Sequence, residues 1–273
     1  MVINSVECIK SSPSINNVDS RPHQISIVLP YGRNKQLRKT IRADGTQIGA
    51  DDLTWVTDTS RTNQDLPSIH KFFSLQIGLG LNAAICYGRA VGKAYQYWEN
   101  EDGTKTKSRS PVVHRREWYQ DGKRESGFVD VPSDLLFIDI DDAPQSDMED
   151  WISDPDSAVQ AMIFDNLPEF MHDVSFVWMW TASHGKNPDM LRVRLIYQLD
   201  KVICAGERKQ LLAALHAYFD PVDAGIYGPE RLIYFARPLF EEGARDPLKG
   251  LRLTGFVKAG EDKLAVPGAL WLN

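Results

Sequence analysis

The order of apolar runs between residues 135 and 236 constrains the fold of this chain more than any other feature. Short runs rich in β-branched and aromatic residues are typical of strands, whereas apolar residues spaced three and four apart are typical of helices. By these criteria the chain alternates strand, helix, strand, strand, helix and strand. The six segments are LLFIDI (135–140), DSAVQAMIFDNLPEFMHD (156–173), SFVWMWTA (175–182), LRVRLIYQL (191–199), AGERKQLLAALHAYF (205–219) and RLIYFA (231–236).

This succession is that of a ferredoxin-like, or RRM-like, β-α-β-β-α-β unit. In that topology the first and third strands are central, and the fourth strand lies beside the first. Pro168 is expected to kink or break the first helix, because proline lacks the backbone N–H that a helix needs. We therefore predict an α+β fold built around this unit.

The upstream half of the chain carries weaker signals. ISIVL (25–29) predicts a strand, and LPSIHKFFSLQIG (66–78) has helical spacing with Asp65 available as a cap. NAAICYGRAV (82–91) fits a strand or a helix, and the charge, glycine and serine of 99–127 favour a long loop or loose hairpin. We predict a loose lead-in, an N-terminal α/β module, the RRM-like catalytic subdomain and a C-terminal extension at residues 1–24, 25–130, 131–240 and 241–273.

Composition narrows the class of protein. The 273 residues are 42% hydrophobic and 25% charged, which is typical of a folded globular protein. No apolar run approaches the roughly 20 residues that span a bilayer. The first residues lack a signal-peptide pattern, and the three cysteines have no CxxC spacing. We predict a cytoplasmic protein with no membrane partner.

Charge is distributed unevenly around a net value of −6. Residues 33–42 contain five basic side chains and no acid, residues 105–116 contain five more, and residues 134–156 contain nine Asp or Glu. An acidic centre with basic stretches upstream suits a metal site served by a phosphate-binding surface. The alternative is that both basic runs are solvated faces of loops or helices.

Three aspartates, Asp139, Asp141 and Asp142, lie at the end of the apolar segment 135–143. Because side chains alternate along a strand, Asp139 and Asp141 are expected on one face, and Asp142 is expected to point away as part of the turn. Two carboxylates one pleat apart repel, and a divalent cation such as Mg²⁺ or Mn²⁺ relieves that repulsion. The alternative is a surface turn or helix cap.

The third strand places Arg192 and Arg194 on one face, next to the first strand. Both arginines are therefore expected near Asp139 and Asp141, where they would bind nucleotide phosphates or form structural ion pairs. The turn before this strand carries Ser183 and His184.

The segment before the last strand offers a third carboxylate. Asp220 or Asp223 could complete a set of three with Asp139 and Asp141, and Arg231 could meet a phosphate. The alternative is a plain turn built from Asp, Pro and Gly.

Taken in order, FIDID, ASH ending at His184, and VDAGIYGPERLIYF resemble the three motifs of the archaeo-eukaryotic primase superfamily, over about residues 130–240. The resemblance is to the primase-polymerase domains of plasmid, phage and mobile-element replication proteins, and GPERLIYFARP selects Asp223 over Asp220. It implies that Asp139, Asp141 and Asp223 bind two catalytic divalent ions. It also implies nucleotide contacts from Ser183 and His184, from Arg192 and Arg194, and from Arg231.

The implied activity is DNA-templated primer synthesis or extension from nucleoside or deoxynucleoside triphosphates, by a two-metal mechanism with Mg²⁺ or Mn²⁺. The chain would come from a prokaryote or mobile element. A helicase would act as a separate protein or as another domain, since the sequence has no GxxxxGK[ST]. Single-stranded DNA is the expected template, bound by basic and aromatic side chains. The candidates are Arg33, Lys35, Arg38, Lys39, Arg115, Arg116 and Trp118.

Two other functions fit parts of the pattern. A haloacid-dehalogenase-type phosphohydrolase also has an apolar strand followed by DxD, but it has a parallel sheet and normally a Thr or Val where Asp142 stands. A non-catalytic RRM-like nucleic-acid-binding or replication-initiator module would use exposed aromatics on its central strands, for which Phe137 is the candidate.

Overall fold

The structure is a computed structural model that describes residues 24–30, 36–48, 55–62, 65–90, 97–99, 104–107, 113–114, 118–120, 123–125, 127–145, 150–235 and 237–271. The described residues form a mixed α/β fold dominated by sheets. The helices are α1 (Leu66–Gly78), α2 (Pro155–Asn166) and α3 (Ala205–Tyr218), with 3₁₀ turns at Glu169–Met171 and Gly268–Trp271.

Among the strands of the described residues, β13 and β15 are the longest, with 12 and 14 residues. They are β1 (Gln24–Pro30), β2 (Thr40–Ile41), β3 (Gln47–Ile48), β4 (Trp55–Thr62), β5 (Ala84–Cys86), β6 (Arg89–Ala90), β7 (Tyr97–Glu99), β8 (Lys105–Lys107), β9 (Val113–His114), β10 (Trp118–Gln120), β11 (Lys123–Glu125), β12 (Phe128–Val129), β13 (Ser133–Pro144), β14 (Phe176–Trp180), β15 (Met190–Ile203), β16 (Ile233–Tyr234), β17 (Leu239–Phe240) and β18 (Thr254–Val257).

The helices lie where the apolar spacing predicts them. Helix α1 has the predicted bounds, and the Asp65 carboxylate accepts a hydrogen bond from the Ser68 N–H at 2.8 Å, as an N-cap does. Helix α2 ends at Asn166, and a 3₁₀ turn follows Pro168, so the predicted break is confirmed.

Strands β13, β15, β14 and β18 form an antiparallel sheet in that order, which we call the four-stranded sheet. Strand β15 is central, as predicted for the third strand. The first strand, β13, is not central: it is paired in this sheet with β15 alone.

The predicted place of the fourth strand is wrong. Residues 233–234 (β16) pair with β5 in a second sheet of order β16-β5-β1-β4-β9, which we call the N-terminal sheet. Strand β18, from the segment predicted as an extension, occupies the edge beside β14. A short apolar run identifies a strand but not its partner, because its backbone groups can pair with any available sheet edge.

The edge of β13 that does not face β15 pairs with the chain just before β16. Val222 forms an isolated bridge with Ile140, the Asp141 N–H donates to the Pro221 carbonyl at 2.9 Å, and the Asp223 N–H donates to the Asp139 carbonyl at 2.8 Å. This segment therefore takes the place beside the first strand that the topology assigned to the fourth.

The two large sheets share one hydrophobic core. The Phe137 N–H of β13 donates to the Tyr87 hydroxyl at 2.8 Å, and the two rings meet edge to face at 5.4 Å between centroids. Burial raises the pKa of Tyr87 to about 12, so the phenol stays protonated. The middle of β13 is thus enclosed, and only its last residues approach solvent.

None of the helices in the described residues is both long and apolar enough to cross a bilayer.

Candidate carboxylate–arginine site

A β-bulge shapes the end of β13. Ile140 pairs with Val193 and Ala143 with Leu191, so Asp141 and Asp142 together face the single residue Arg192. Asp142 has a φ of 61°, in the left-handed region that aspartate tolerates better than most residues. Bulges of this kind occur next to active sites, where they re-aim side chains. Because of the bulge, the predicted alternation fails at Asp142, which does not point away.

Arg194 and Asp139 face each other across the sheet, as the alternation predicted. The Arg194 Nη2 donates to Asp139 Oδ2 at 2.6 Å, and Nη1 donates to the Tyr234 carbonyl. Only 7% of the Arg194 side chain and 16% of the Asp139 side chain is exposed. Arg194 Nε and Asp139 Oδ1 are buried and have no hydrogen-bond partner, so each member of this pair keeps a spare polar group.

Arg192 connects the bulge to the Ser183–His184 turn. Its Nε donates to Asp142 Oδ1 at 2.7 Å, its Nη2 pairs with Asp142 Oδ2, and its Nη1 lies 3.9 Å from Asp141 Oδ1. The same Nη1 donates to Ser183 Oγ at 2.9 Å. The turn therefore reaches the carboxylates through Arg192, a connection that the sequence left open.

His184 is 1% exposed and stacks on Trp180 at 4.0 Å between ring centroids, with Trp151 edge-on at 4.3 Å. Burial, assisted by the charge of Arg192, lowers the pKa of His184 to about 3. Its Nδ1 accepts the Arg192 N–H at 3.1 Å, so the proton of the neutral ring is on Nε2. That Nε2–H is buried without a partner. His184 lines a cavity of about 170 Å³ together with Lys186, Phe240 and Arg245.

The backbone of Asp223 lies beside Asp139, whereas the Asp223 side chain accepts a hydrogen bond within its own turn. The Asp223 Oδ1 accepts the Gly225 N–H at 2.7 Å. A cleft of about 600 Å³ is lined by Asp141, Asp142, Asp220 and Asp223. Arg231 is exposed, and its guanidinium borders the Gly225 end of this turn.

The two described basic residues of 33–42 that were predicted to bind DNA have different surroundings. Arg38 donates to the Gly80 carbonyl at 3.1 Å, just beyond the end of α1, and to Gln36. Lys39 has Asp141, Asp139, Arg194 and Arg192 as its electrostatic neighbours, so it belongs to the site. The positions of Arg33, Lys35, Arg115 and Arg116, and the side chain of Trp118, lie outside the described residues.

The charges of the site perturb one another. Burial, and next the charge of Asp139, raise the pKa of Asp141, while Arg192 and Lys39 oppose the shift. Burial lowers the pKa of Lys39, although both aspartates act in the other direction. A carboxylate with a raised pKa gains from any additional cation nearby.

Sequence reasoning missed two members of this site. Asp142 was assigned to a turn, and Lys39 was assigned to DNA. Asp142 could have been suspected from the run of three acids at a strand end, but a bulge leaves no clear mark in the sequence. The position of Lys39 depends on a tertiary contact.

The donor chemistry of Asp139 and Asp141 suits Mg²⁺ or Mn²⁺, which prefer oxygen ligands. The unpartnered Asp139 Oδ1 and the raised pKa of Asp141 both favour an added cation. In the described part of the chain, however, no three His, Cys, Asp or Glu side chains lie together as a metal site. The Asp223 Oδ1 is used by the Gly225 N–H, so the other carboxylate oxygen is the one that Asp223 could add to the pair.

No family model matches the chain, and no curated protein matches it. One solved structure to which it is similar is the AEP domain of the primase-polymerase of cyanophage S-2L. The two chains are 12% identical with a TM-score of 0.37, and the similarity covers 92% of this chain and 89% of that one. At this TM-score the likeness does not establish a shared fold. The function is therefore argued from the residues of this chain.

Proposed function

We propose that the chain is a nucleotidyltransferase that synthesises or extends primers on a single-stranded DNA template. The observation that carries this proposal is the meeting of Asp139, Asp141 and the Asp223 segment at one end of β13, beside Arg192 and Arg194. Paired carboxylates next to paired guanidinium groups match a metal–triphosphate substrate, because the carboxylates bind the cation and the arginines bind the phosphates.

In this proposal Asp139 and Asp141 hold divalent Mg²⁺ or Mn²⁺, and Asp223 joins them. Bound divalent ions would lower the pKa of the attacking hydroxyl and stabilise the leaving pyrophosphate. Arg192 and Arg194 orient the triphosphate, so that the new P–O bond forms in line with the bond to pyrophosphate that breaks. Ser183 fixes Arg192, and the Arg231 guanidinium lies beside Gly225, which lines the cleft next to Asp223.

His184 can contribute to nucleotide binding in one way. Its Nδ1 is used by the Arg192 N–H, so its Nε2–H is the donor that remains for a substrate oxygen. The cavity beside it is bordered by Lys186 and Arg245, whose charges suit an anionic substrate. The biological setting we propose is replication of a mobile element, together with a helicase.

Two observations weigh against the other functions. The four-stranded sheet is antiparallel throughout, whereas a haloacid-dehalogenase-type enzyme has a parallel sheet. Phe137 is 1% exposed and packs on Tyr87, so it is not available for stacking on a base.

The test is a primer-synthesis and primer-extension assay with single-stranded DNA, labelled nucleoside and deoxynucleoside triphosphates, and Mg²⁺ or Mn²⁺. We expect metal-dependent products from the wild type and a loss on the order of 10²–10³-fold or more from Asp139→Asn combined with Asp141→Asn. Asp165→Asn, an exposed acid on α2, is the matched control and should behave as wild type. Equal products from the double variant, or none from the wild type, would refute the proposal.

A further inference from the structure

Three carboxylates of the carboxylate–arginine site have three cations close to them. Asp139 pairs with Arg194 at 2.6 Å, Asp142 pairs with Arg192 at 2.7 Å, and Asp141 lies 3.9 Å from Arg192. Lys39 is the third cation and has Asp141 and Asp139 as its opposite charges. Asp139, Asp141 and Asp142 are therefore balanced by three cations without any ligand, and Asp223 in the adjoining turn adds a further carboxylate.

The backbone fixes Lys39 at this place. Its carbonyl accepts the Leu239 N–H at 2.9 Å, where β17 begins its parallel pairing with β2. The chain reaches β17 from Tyr234 of β16, whose carbonyl accepts from Arg194. The β2–β17 pair thus connects the Lys39 backbone to the same segment that anchors Arg194. The side chain of Lys39 is half-buried.

The pairing of these three carboxylates with three cations has a consequence for binding. A divalent cation that binds alone must compete with Arg192, Arg194 and Lys39 for the carboxylates, and a triphosphate that binds alone must compete with the carboxylates for those cations. When both bind together, the carboxylates turn to the metal and the cations turn to the phosphates. The unpartnered Asp139 Oδ1 and Arg194 Nε supply one additional contact to each ligand.

We propose that Lys39 binds the nucleotide phosphates rather than the DNA backbone, and that it makes the binding of divalent metal and of triphosphate strongly cooperative. The inference rests on the proposed function, since it takes the nucleotide as the substrate of this site. Coupling between two ligands is reciprocal, so each should raise the affinity of the other by the same factor.

The test measures Mn²⁺ binding by titration calorimetry or by the signal of free Mn²⁺, with and without a nucleoside triphosphate whose α,β-bridging oxygen is replaced by a methylene. In wild type we expect the analogue to raise Mn²⁺ affinity by about tenfold or more. In Lys39→Met, Mn²⁺ affinity without the analogue should rise several-fold and the coupling factor should fall. Lys39→Arg, which keeps the charge, should restore the coupling.

Lys71→Met, on the exposed face of α1, is the matched control and should give the wild-type coupling factor. Thermal melting of each variant verifies that it is folded. If Lys39→Met binds Mn²⁺ and the analogue with wild-type coupling, this inference is wrong and the proposed function stands. If the analogue fails to bind wild type with or without Mn²⁺, the proposed function and the inference both fall.

Discussion

Two buried Arg–Asp pairs in this molecule differ in how completely they are satisfied. Arg208 of α3 is 0% exposed; its Nη2 pairs with Asp130 Oδ1 at 2.5 Å, and its Nη1 and Nε donate to the carbonyls of Ile203 and Tyr227. Asp130 Oδ2 accepts the Ala205 N–H at 2.7 Å. In the Arg194–Asp139 pair, by contrast, one nitrogen and one oxygen are buried without a partner.

We take the difference to distinguish an ion pair that stabilises the fold from one that keeps polar groups available for a ligand. A buried polar group without a hydrogen bond costs free energy, so native proteins keep few of them. Such groups are tolerated where function requires them. The guanidinium of Arg208 also lies 3.9 Å from the Tyr87 ring centroid, which joins α3 to the core. We therefore interpret Arg208–Asp130 as structural and Arg194–Asp139 as functional.

The largest expected effect is on stability, from Arg208→Met. Removing one partner of a buried pair leaves Asp130 without its counter-charge, so the free energy of unfolding should fall by about 3–5 kcal/mol. Denaturant unfolding measures it. Added Mg²⁺ should not restore the loss, since Asp130 is a structural partner. Stability close to that of wild type would show that the pair is not structural.

Arg194→Met should cost less stability and respond to metal. The cost should be about 1–3 kcal/mol, because Asp139 keeps Lys39 as a neighbouring opposite charge and Arg194 makes fewer hydrogen bonds than Arg208. A divalent cation can replace the lost positive charge, so Mg²⁺ or Mn²⁺ should raise the melting temperature of this variant more than that of Arg208→Met. If metal raised the melting temperatures of the two variants equally, the distinction between a structural pair and a functional pair would be wrong.

The alternation of β13 and β15 predicted that Arg192 and Arg194 would lie near Asp139 and Asp141, but not which carboxylate each would contact. Asp139 lies opposite Arg194, and Arg192 reaches Asp141, because period-two side chains on neighbouring strands share a face. The direction of Asp142 was predicted wrongly because a bulge adds one residue to one strand. Strict alternation of side chains does not hold across such an extra residue.

The sequence did not predict which sheet each short strand would join. The run 231–236 was identified as a strand-forming segment, yet its partner is the N-terminal sheet, and β18 completes the four-stranded sheet instead. Pairing partners are decided by core packing over the whole molecule rather than by local pattern. The same limit applies to Lys39, whose backbone position depends on the parallel pairing of β2 and β17.

His184, beside the carboxylate–arginine site, should make the free energy of unfolding depend on pH. Its pKa is about 3 in the folded protein against 6.5 for an unperturbed histidine, so between these values the unfolded chain binds more protons. The free energy of unfolding should therefore fall as pH drops below about 6.5, with this residue adding a slope of up to about 1.4 kcal/mol per pH unit. Comparing the pH dependence of wild type and His184→Gln measures it, and identical slopes would contradict it.

The smallest expected effect is at Asp141, beside the Arg194–Asp139 pair, and the same substitution at Asp130 should have the opposite sign. Burial and Asp139 raise the pKa of Asp141, so its ionised form is disfavoured in the folded protein at neutral pH. Asp141→Asn should then stabilise the protein, by only about 0.3 kcal/mol because 53% of the side chain is exposed and solvent screens the repulsion. The gain should disappear as pH falls through the raised pKa of Asp141, where the wild-type carboxyl is itself protonated.

Asp130→Asn should instead destabilise the protein at neutral pH, because it removes the counter-charge of a fully buried arginine. Denaturant unfolding of both variants at neutral and acidic pH measures the two signs. A loss of stability in both would mean that Asp141, like Asp130, is held by its cations chiefly for the fold.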